Sequence, residues 1–345
     1  MKKIIIIGGG FAGSFLAKKL ENRFQVTLID TKDYFEFTPG ILRTIVEPEH
    51  YSKVQIEHKK YLKKTKLIRK KVSSISKDHL KINNKIINFD YLIICSGSSY
   101  NNPIKDQTAI MASRAEILRK YHNKLNSSKR VLVIGGGLAG VEMAAEICTH
   151  YKKKEVFLIH PGETLITRNN KKTISHVHHF FSKNNVELIL KERVIKSEKG
   201  YFVTDKKTRL KADMAILCTG IKPNSHFIRK DFPHLVDKKG FVKVDEYLRL
   251  EGSKNIFDLG DVNNLNIEKT AQNAEKQAEL TLKNIKRIEK NKDLRKYHPK
   301  KTSLVISLGK YQGIYEYKNF VWKGLIPAIM KYMIEKIEMF KRHSF

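Results

Sequence analysis

Cysteine is scarce in this chain. Its 345 residues include only 3 cysteines, Cys95, Cys148 and Cys218, far apart in sequence. There is no CxxC pair and no Cys/His group at zinc spacing, so neither a disulfide framework nor a structural zinc site is expected. His176, His178 and His179 form the densest histidine group. No acid or cysteine completes a ligand set around them, so they read as helix-surface residues and no metal is expected. Long apolar runs are also missing. The uncharged stretches 4–17 and 131–141 fall short of a membrane span and are interrupted by glycine. The first follows Lys2 and Lys3 and imitates a signal peptide, but cleavage would remove the best motif in the chain. Lys2 stands where N-myristoylation needs glycine, and no prenylation box is present.

Acidic residues are few. There are 35 against 67 basic ones, giving a net charge of +32. Such a field favours anionic lipid, nucleic acid or phosphorylated cofactors. The lysines are spread along the chain, so no specific nucleic-acid partner is expected. The densest basic stretch, from Lys53 to Lys71, reads as a solvated surface segment, with a membrane- or nucleic-acid-facing patch as the alternative.

The sequence does contain two phosphate-binding patterns. Residues 3–7 read as a short, buried parallel strand. Gly8, Gly10 and Gly13 follow in GxGxxG spacing, then a helix-compatible stretch, then a second strand over 25–29 closed by Asp30. Gly8 permits the tight turn, Gly10 lets backbone approach a pyrophosphate, and Gly13 lets helix and strand pack closely. The helix N-terminus offers free amides and a positive dipole end, and Asp30 is placed to accept ribose hydroxyls. The pattern recurs at Gly135, Gly137 and Gly140, followed by a helix and a strand over 155–159. The second acid position holds His160, so the usual rejection of a 2′-phosphate is missing. NADH and NADPH both stay open, with Arg168 a candidate phosphate partner. Two small-residue turns, Cys95-Ser-Gly97 and Cys218-Thr-Gly220, and a strand ending in Gly260-Asp261 complete the set. A helix is expected from Lys269 or Thr270.

In this order the motifs resemble the two-dinucleotide flavoprotein disulfide-reductase superfamily over essentially the whole chain. The segments Gly135–Ile147, 154–160, 216–225, 30–39 and 41–48 are most similar to apoptosis-inducing-factor-like flavoproteins of the ferroptosis-suppressor type, relatives of the type II NADH dehydrogenases. Members of that group are FAD-containing NAD(P)H:quinone oxidoreductases. The resemblance implies that Gly8, Gly10, Gly13, Asp30 and Asp261 contact FAD, and that Gly135, Gly137 and Gly140 contact NAD(P)H; the small residues at Gly97 and Gly220 let backbone approach a cofactor. It implies that Glu142 lies near the flavin and nicotinamide rings. Residues 270–277 are similar to the AQxAxQ segment of the type II dehydrogenases. Ala271, Gln272 and Ala274 match, but the second glutamine position holds Lys276, with Gln277 one place later. Gln272 is thus expected near flavin and quinone. Lys331 lies near a lysine that ferroptosis-suppressor-type proteins carry in this region.

The resemblance also sharpens the meaning of the missing cysteines. No redox pair is present, and residues 35–44 lack the single cysteine of peroxidase-type members. Cys95, Cys148 and Cys218 read as small core residues. Electrons are therefore expected to leave flavin directly, to a quinone, oxygen or a one-electron carrier, with a quinone as the main reading. The alternatives are a soluble reductase of a ferredoxin- or rubredoxin-like carrier, and a flavin-bearing redox sensor or nucleic-acid-binding protein.

The expected fold is α/β, with two Rossmann-like dinucleotide-binding domains, for FAD and NAD(P), and a small C-terminal α+β part. The expected spans are 1–108 with 245–290 for FAD, 109–244 for NAD(P), and 291–345 for the C-terminal region. In the last, 302–309 and 313–317 read as strands and 328–342 as a helix. Ile326, Ile329, Met330, Met333, Ile334, Ile337 and Phe340 form one apolar stripe at helical spacing. The stripe suits docking on an anionic membrane surface, or packing against the protein's own core or a dimer partner. The chain is expected to be a monomer or homodimer, cytoplasmic, with peripheral contact to the inner face of a membrane through this helix.

Overall fold

The computed structural model describes residues 1–99 and 111–343. The expected boundary at 108/109 lies outside the described residues. A five-stranded sheet runs in the order Ile256–Asp258, Tyr91–Ile94, Lys3–Ile7, Gln25–Asp30, Lys66–Arg69, and all neighbours are parallel. A four-stranded sheet runs Val186–Leu190, Glu155–His160, Arg130–Ile134, Met214–Leu217, again all parallel. Both are α/β sheets of the expected kind. Their central strands are continuous apolar runs because both faces are covered, one by helices and the other by a short antiparallel sheet, and Ile4, Ile5, Ile6, Val131, Leu132 and Val133 are all buried.

The Lys66–Arg69 strand falls within the stretch read as a solvated basic segment. It is the sheet edge, and its lysines and arginine blunt the open hydrogen-bonding rim. Short antiparallel sheets decorate both units: Ser74–Ile75, His79–Ile82 and Lys85–Asn88 in one, Val194–Glu198, Tyr201–Thr204 and Arg209–Lys211 in the other.

The two sheets repeat one device at the ends of their central strands. The Gly8 amide donates to Ile29 O at 2.8 Å, and the Gly135 amide donates to Ile159 O at 2.8 Å. A Cβ on Gly8 would sit 2.2 Å from Cys95 O, and one on Gly135 would sit 2.2 Å from Cys218 O. Both glycines have positive φ. Further along, a Cβ on Gly13 or Gly140 would lie 1.8 Å from the carbonyl oxygen of Gly8 or Gly135. Helix, loop and neighbouring strand turn therefore meet backbone to backbone.

The C-terminal part is an antiparallel sheet of Leu304–Ser307, Gly313–Tyr317 and Phe320–Gly324, followed by the helix Leu325–His343. The last strand escaped the sequence reading, and the helix begins three residues earlier than expected. This helix turns its acids and Arg342 inward. Glu335, Glu338 and Arg342 are buried, while Ile326, Ile329, Met333, Ile334, Ile337 and Phe340 are exposed, Phe340 by 67%. His50 Nε2 lies 3.0 Å from Glu335 Oε1. Arg342 Nη2 donates to Ser14 Oγ at 3.2 Å, and its guanidinium stacks 3.7 Å from the centroid of the Phe35 ring. A buried guanidinium is tolerable only with such partners.

The backbone contacts predict a split between glycines. Gly140→Ala forces its Cβ into a carbonyl and should cost about 1–3 kcal/mol or more. Gly137→Ala places its Cβ in open space and should stay within roughly 0.5 kcal/mol. Urea denaturation midpoints check both.

Candidate functional site

The carboxyl ends of the first sheet's strands open into a cavity of ≈ 690 Å³. Its wall includes Gly8, Gly10, Asp30, Gly97, Asp261, Gln272, Glu142 and Lys331. Eight of the residues singled out from the sequence thus meet in one place. Gly13 lies beneath the loop as a packing residue. Gly135, Gly137, Gly140 and Gly220 lie outside the cavity wall, in the second loop and its neighbouring turn.

The first loop fits a dinucleotide. Gly10 has φ −71°, so the backbone does not require glycine there, and nothing lies within 4 Å of a Cβ built on it. The missing side chain leaves room for something from outside the chain. No side chain caps the Phe11–Leu20 helix, so its first amides are free for an anion. Asp30 Oδ2 accepts from the Gly9 amide, and its Oδ1 accepts from Lys32 N at 2.9 Å. The carboxylate is therefore fixed at the loop's rim. Ser98 Oγ donates to Asp261 Oδ2 at 2.7 Å, which ties the first small-residue turn to the Gly-Asp turn.

The second loop has the same open position, Gly137, and the same uncapped helix, Leu138–His150. His160 takes the place of Asp30. Its Nδ1 accepts from the Gly136 amide at 3.2 Å, and burial pushes its pKa below the ordinary imidazole value. Arg168 is exposed and reaches Glu268 Oε1 at 3.4 Å.

Glu142 and Lys331 form an ion pair across 189 residues of sequence. Lys331 Nζ donates to Glu142 Oε1 at 2.9 Å, and Ser307 N donates to the same oxygen at 2.8 Å. Their side chains are 20% and 11% exposed for Lys331 and Glu142 respectively. The pair joins the second-loop helix to the C-terminal helix inside the cavity.

The helix expected from Lys269 or Thr270 is Ala271–Ile288, capped by Thr270 Oγ1 accepting from Asn273 N at 3.3 Å. Gln272 is exposed on the cavity wall. Lys276 faces solvent, and Gln277 is buried away from the cavity. Its Oε1 accepts from Gly260 N at 2.7 Å and from Asn263 Nδ2 at 2.9 Å, so it braces the Gly-Asp turn. The glutamine that is shifted in sequence is thus a scaffold residue. The cavity wall takes Glu275 instead, one helical turn after Gln272. Glu275 and its neighbour Glu338 were missed in the sequence. The i, i+3 relation to Gln272 was the available signal for Glu275, whereas Glu338 had none.

All three cysteines are free and buried. Burial raises each thiol, Cys148 and Cys218 to about 12, which keeps them protonated and unreactive. The described residues contain no group of histidine, cysteine and acid that could hold a metal, and His178 Nε2 lies 2.9 Å from Thr164 Oγ1.

A family model for pyridine nucleotide-disulphide oxidoreductases matches residues 2–278. The chain belongs to that family. This oxidoreductase is 31% identical over 344 residues to apoptosis-inducing factor homolog B of Dictyostelium discoideum, covering 91% of this chain and 89% of that one. It is 30% identical over 344 residues to ferroptosis suppressor protein 1 of Homo sapiens, covering 95% and 92%. Those relatives bear out the resemblance read from the motifs. Among solved structures it superposes on the sulfide:quinone oxidoreductase of Aquifex aeolicus with TM-score 0.85 at 18% identity, covering 100% and 92% of the two chains. NDH2 from Plasmodium falciparum in complex with NADH gives TM-score 0.82 at 17% identity, covering 99% and 97%. At such identities these two speak to the fold. The oxidoreductase is an NAD(P)H-dependent flavoprotein whose cofactors are FAD and NAD(P)H.

Beneath the first loop, His58 is buried, with Nδ1 2.6 Å from Tyr61 Oη and Nε2 unpartnered. Burial lowers its pKa to about 4. An unfolded chain binds this proton below pH ~6.5, whereas the folded oxidoreductase binds it only near 4. His58 therefore stabilises the fold fully above pH ~6.5, and on the order of 3 kcal/mol is lost as pH falls toward 4. Urea unfolding at pH 7 and pH 4.5 should show a shallower loss in His58→Gln than in the wild type.

Proposed function

We propose that this flavoprotein is an NAD(P)H:quinone oxidoreductase that uses no redox cysteine. The observation that carries the reading is the Lys331–Glu142 pair. It sets a charged, partly desolvated contact in the cavity that also presents the first phosphate loop and Gln272. Bound there, FAD supplies two-electron chemistry that can link a nicotinamide to an acceptor.

The chain's own groups divide the remaining work. Gly8, Gly10, Gly13, Asp30, Gly97 and Asp261 hold FAD, while Gly135, Gly137, Gly140 and Gly220 hold the nicotinamide nucleotide. Glu142 orients the nicotinamide, and Lys331 fixes the position of its carboxylate. Gln272 and the free amides after Thr270 favour negative charge at the end of the Ala271–Ile288 helix. Residues 1–108 with 245–290 form the FAD unit, 109–244 the nicotinamide unit, and 291–345 cover the cavity. The buried, protonated thiols support direct electron transfer to the acceptor and argue against sulfide chemistry.

The C-terminal helix supports a lipid-soluble acceptor. Its outward face is apolar, Ile334 lies on both that face and the cavity wall, and Lys336 and Lys341 flank it. With a net charge of +32, an anionic membrane surface is the complementary occupant. No helix among the described residues is long and apolar enough to cross a membrane.

Anaerobic stopped-flow on the FAD-loaded protein tests the reading. NADH or NADPH should bleach the flavin band, and a short-chain quinone should restore it. Bleaching without restoration points to a protein carrier or a sensor instead. No bleaching with either nucleotide removes hydride transfer altogether.

The surface is tested separately. Ile329→Glu with Phe340→Glu should abolish sedimentation with anionic liposomes and keep short-chain quinone turnover. If liposome binding is unchanged and a dimer dissociates, the face is a subunit contact.

A further inference from the structure

Two carboxyl groups meet on the cavity wall opposite the Lys331–Glu142 pair along the same helix. Lys331 and Glu338 are two turns apart on its inward face, about 10 Å along the axis. Glu338 and Glu275 of the Ala271–Ile288 helix both line the cavity, and both are held by the same two cations, Lys341 and Arg342. Carboxylates gathered this closely repel one another, which favours a proton on Glu275 while Glu338 stays charged.

The groups that face the pair stabilise its remaining charge. Arg342 Nη1 lies 3.1 Å from Glu338 Oε2, and Arg342 Nη2 lies 3.5 Å from Glu275 Oε1. Lys341 Nζ bonds Glu338 and stands 3.8 Å from Glu275 Oε2. From the other elements, Ser14 and the Phe35 ring meet Arg342, and neither carries a charge. Lys341 is 49% exposed, which gives the pair a route to solvent.

Reducing a quinone to a quinol takes two electrons and two protons. The hydride from C4 of NAD(P)H accounts for both electrons and one proton, so one more proton must be supplied. We propose that the Glu275–Glu338 pair delivers that second proton to the acceptor oxygen and is reprotonated from solvent beside Lys341. The carboxyl O–H bond breaks as the quinol O–H bond forms, and the carboxylate left behind is held by Lys341 and Arg342. The proposal rests on the quinone reading above. Burial and the neighbouring Glu338 raise Glu275 to about 7, a value suited to giving and regaining a proton at neutral pH. As a donor the pair works below that value and fails as pH rises through it.

The test uses double-mixing stopped-flow on FAD-loaded wild type and Glu275→Gln. Bleaching by NAD(P)H should keep its rate. Restoration by a short-chain quinone should slow on the order of 10²-fold and lose its fall above neutral pH. Restoration by ferricyanide, which takes electrons without protons, should keep its rate. Equal slowing with both acceptors makes the pair structural and overturns the proposal, as does unchanged restoration by quinone. Wild type that is restored by ferricyanide and not by quinone removes the underlying reading, and the proposal with it. Infrared titration gives a readout independent of turnover. Wild type should show a protonated-carboxyl band that titrates near pH 7. Its persistence in both Glu275→Gln and Glu338→Gln also overturns the proposal.

Discussion

The close approach of backbone to backbone at the ends of the two central strands governs the architecture. Gly8 packs against the Cys95 carbonyl and Gly13 against Gly8, and the same contacts recur at Gly135, Cys218 and Gly140. No side chain mediates these contacts, so no side chain can adjust them. They fix where each helix begins and where its free amides point. They also bring the next strand's turn to the loop, which places Gly97 and, through Ser98, Asp261 on one wall. Cys95 and Cys218 belong to this constraint through their carbonyls, while their thiols fill space in the core.

The C-terminal helix closes that wall by reversing the usual arrangement of an amphipathic helix. Lys331, Glu335 and Arg342 turn inward to Glu142, His50, Ser14 and Glu275, and most of its apolar residues turn outward. A helix in water ordinarily buries its apolar stripe. Here the inward ion pairs hold it in place, each with a partner on a different element of the body. The result is a cavity whose charged lining and greasy exterior belong to the same nineteen-residue element.

The two phosphate loops were legible in the sequence because everything that forms them is local. Three glycines, two strands and a helix fall within about thirty residues, the length of one βαβ unit. The Lys66–Arg69 strand was hidden because edge strands carry the charge that otherwise marks a loop. The stripe from Ile326 to Phe340 revealed a face, but periodicity carries no information on which side meets solvent. That depends on Glu335 finding His50 and Arg342 finding Ser14, across hundreds of residues. The role of the shifted glutamine, Gln277, was hidden for a similar reason. Its role is set by Gly260 and Asn263, whose positions only the fold determines.

The substitution of His160 for an acid changes more than the charge at the second loop. The Gly136 amide needs a lone pair on Nδ1, and only the neutral ring has one. Asp30 can hold its loop and stay anionic at the same time. His160 can hold its loop or become cationic, but it cannot do both. The second loop therefore carries a built-in exclusivity. While that hydrogen bond is made the loop presents an uncharged edge, and any gain of positive charge there releases the amide that shapes it.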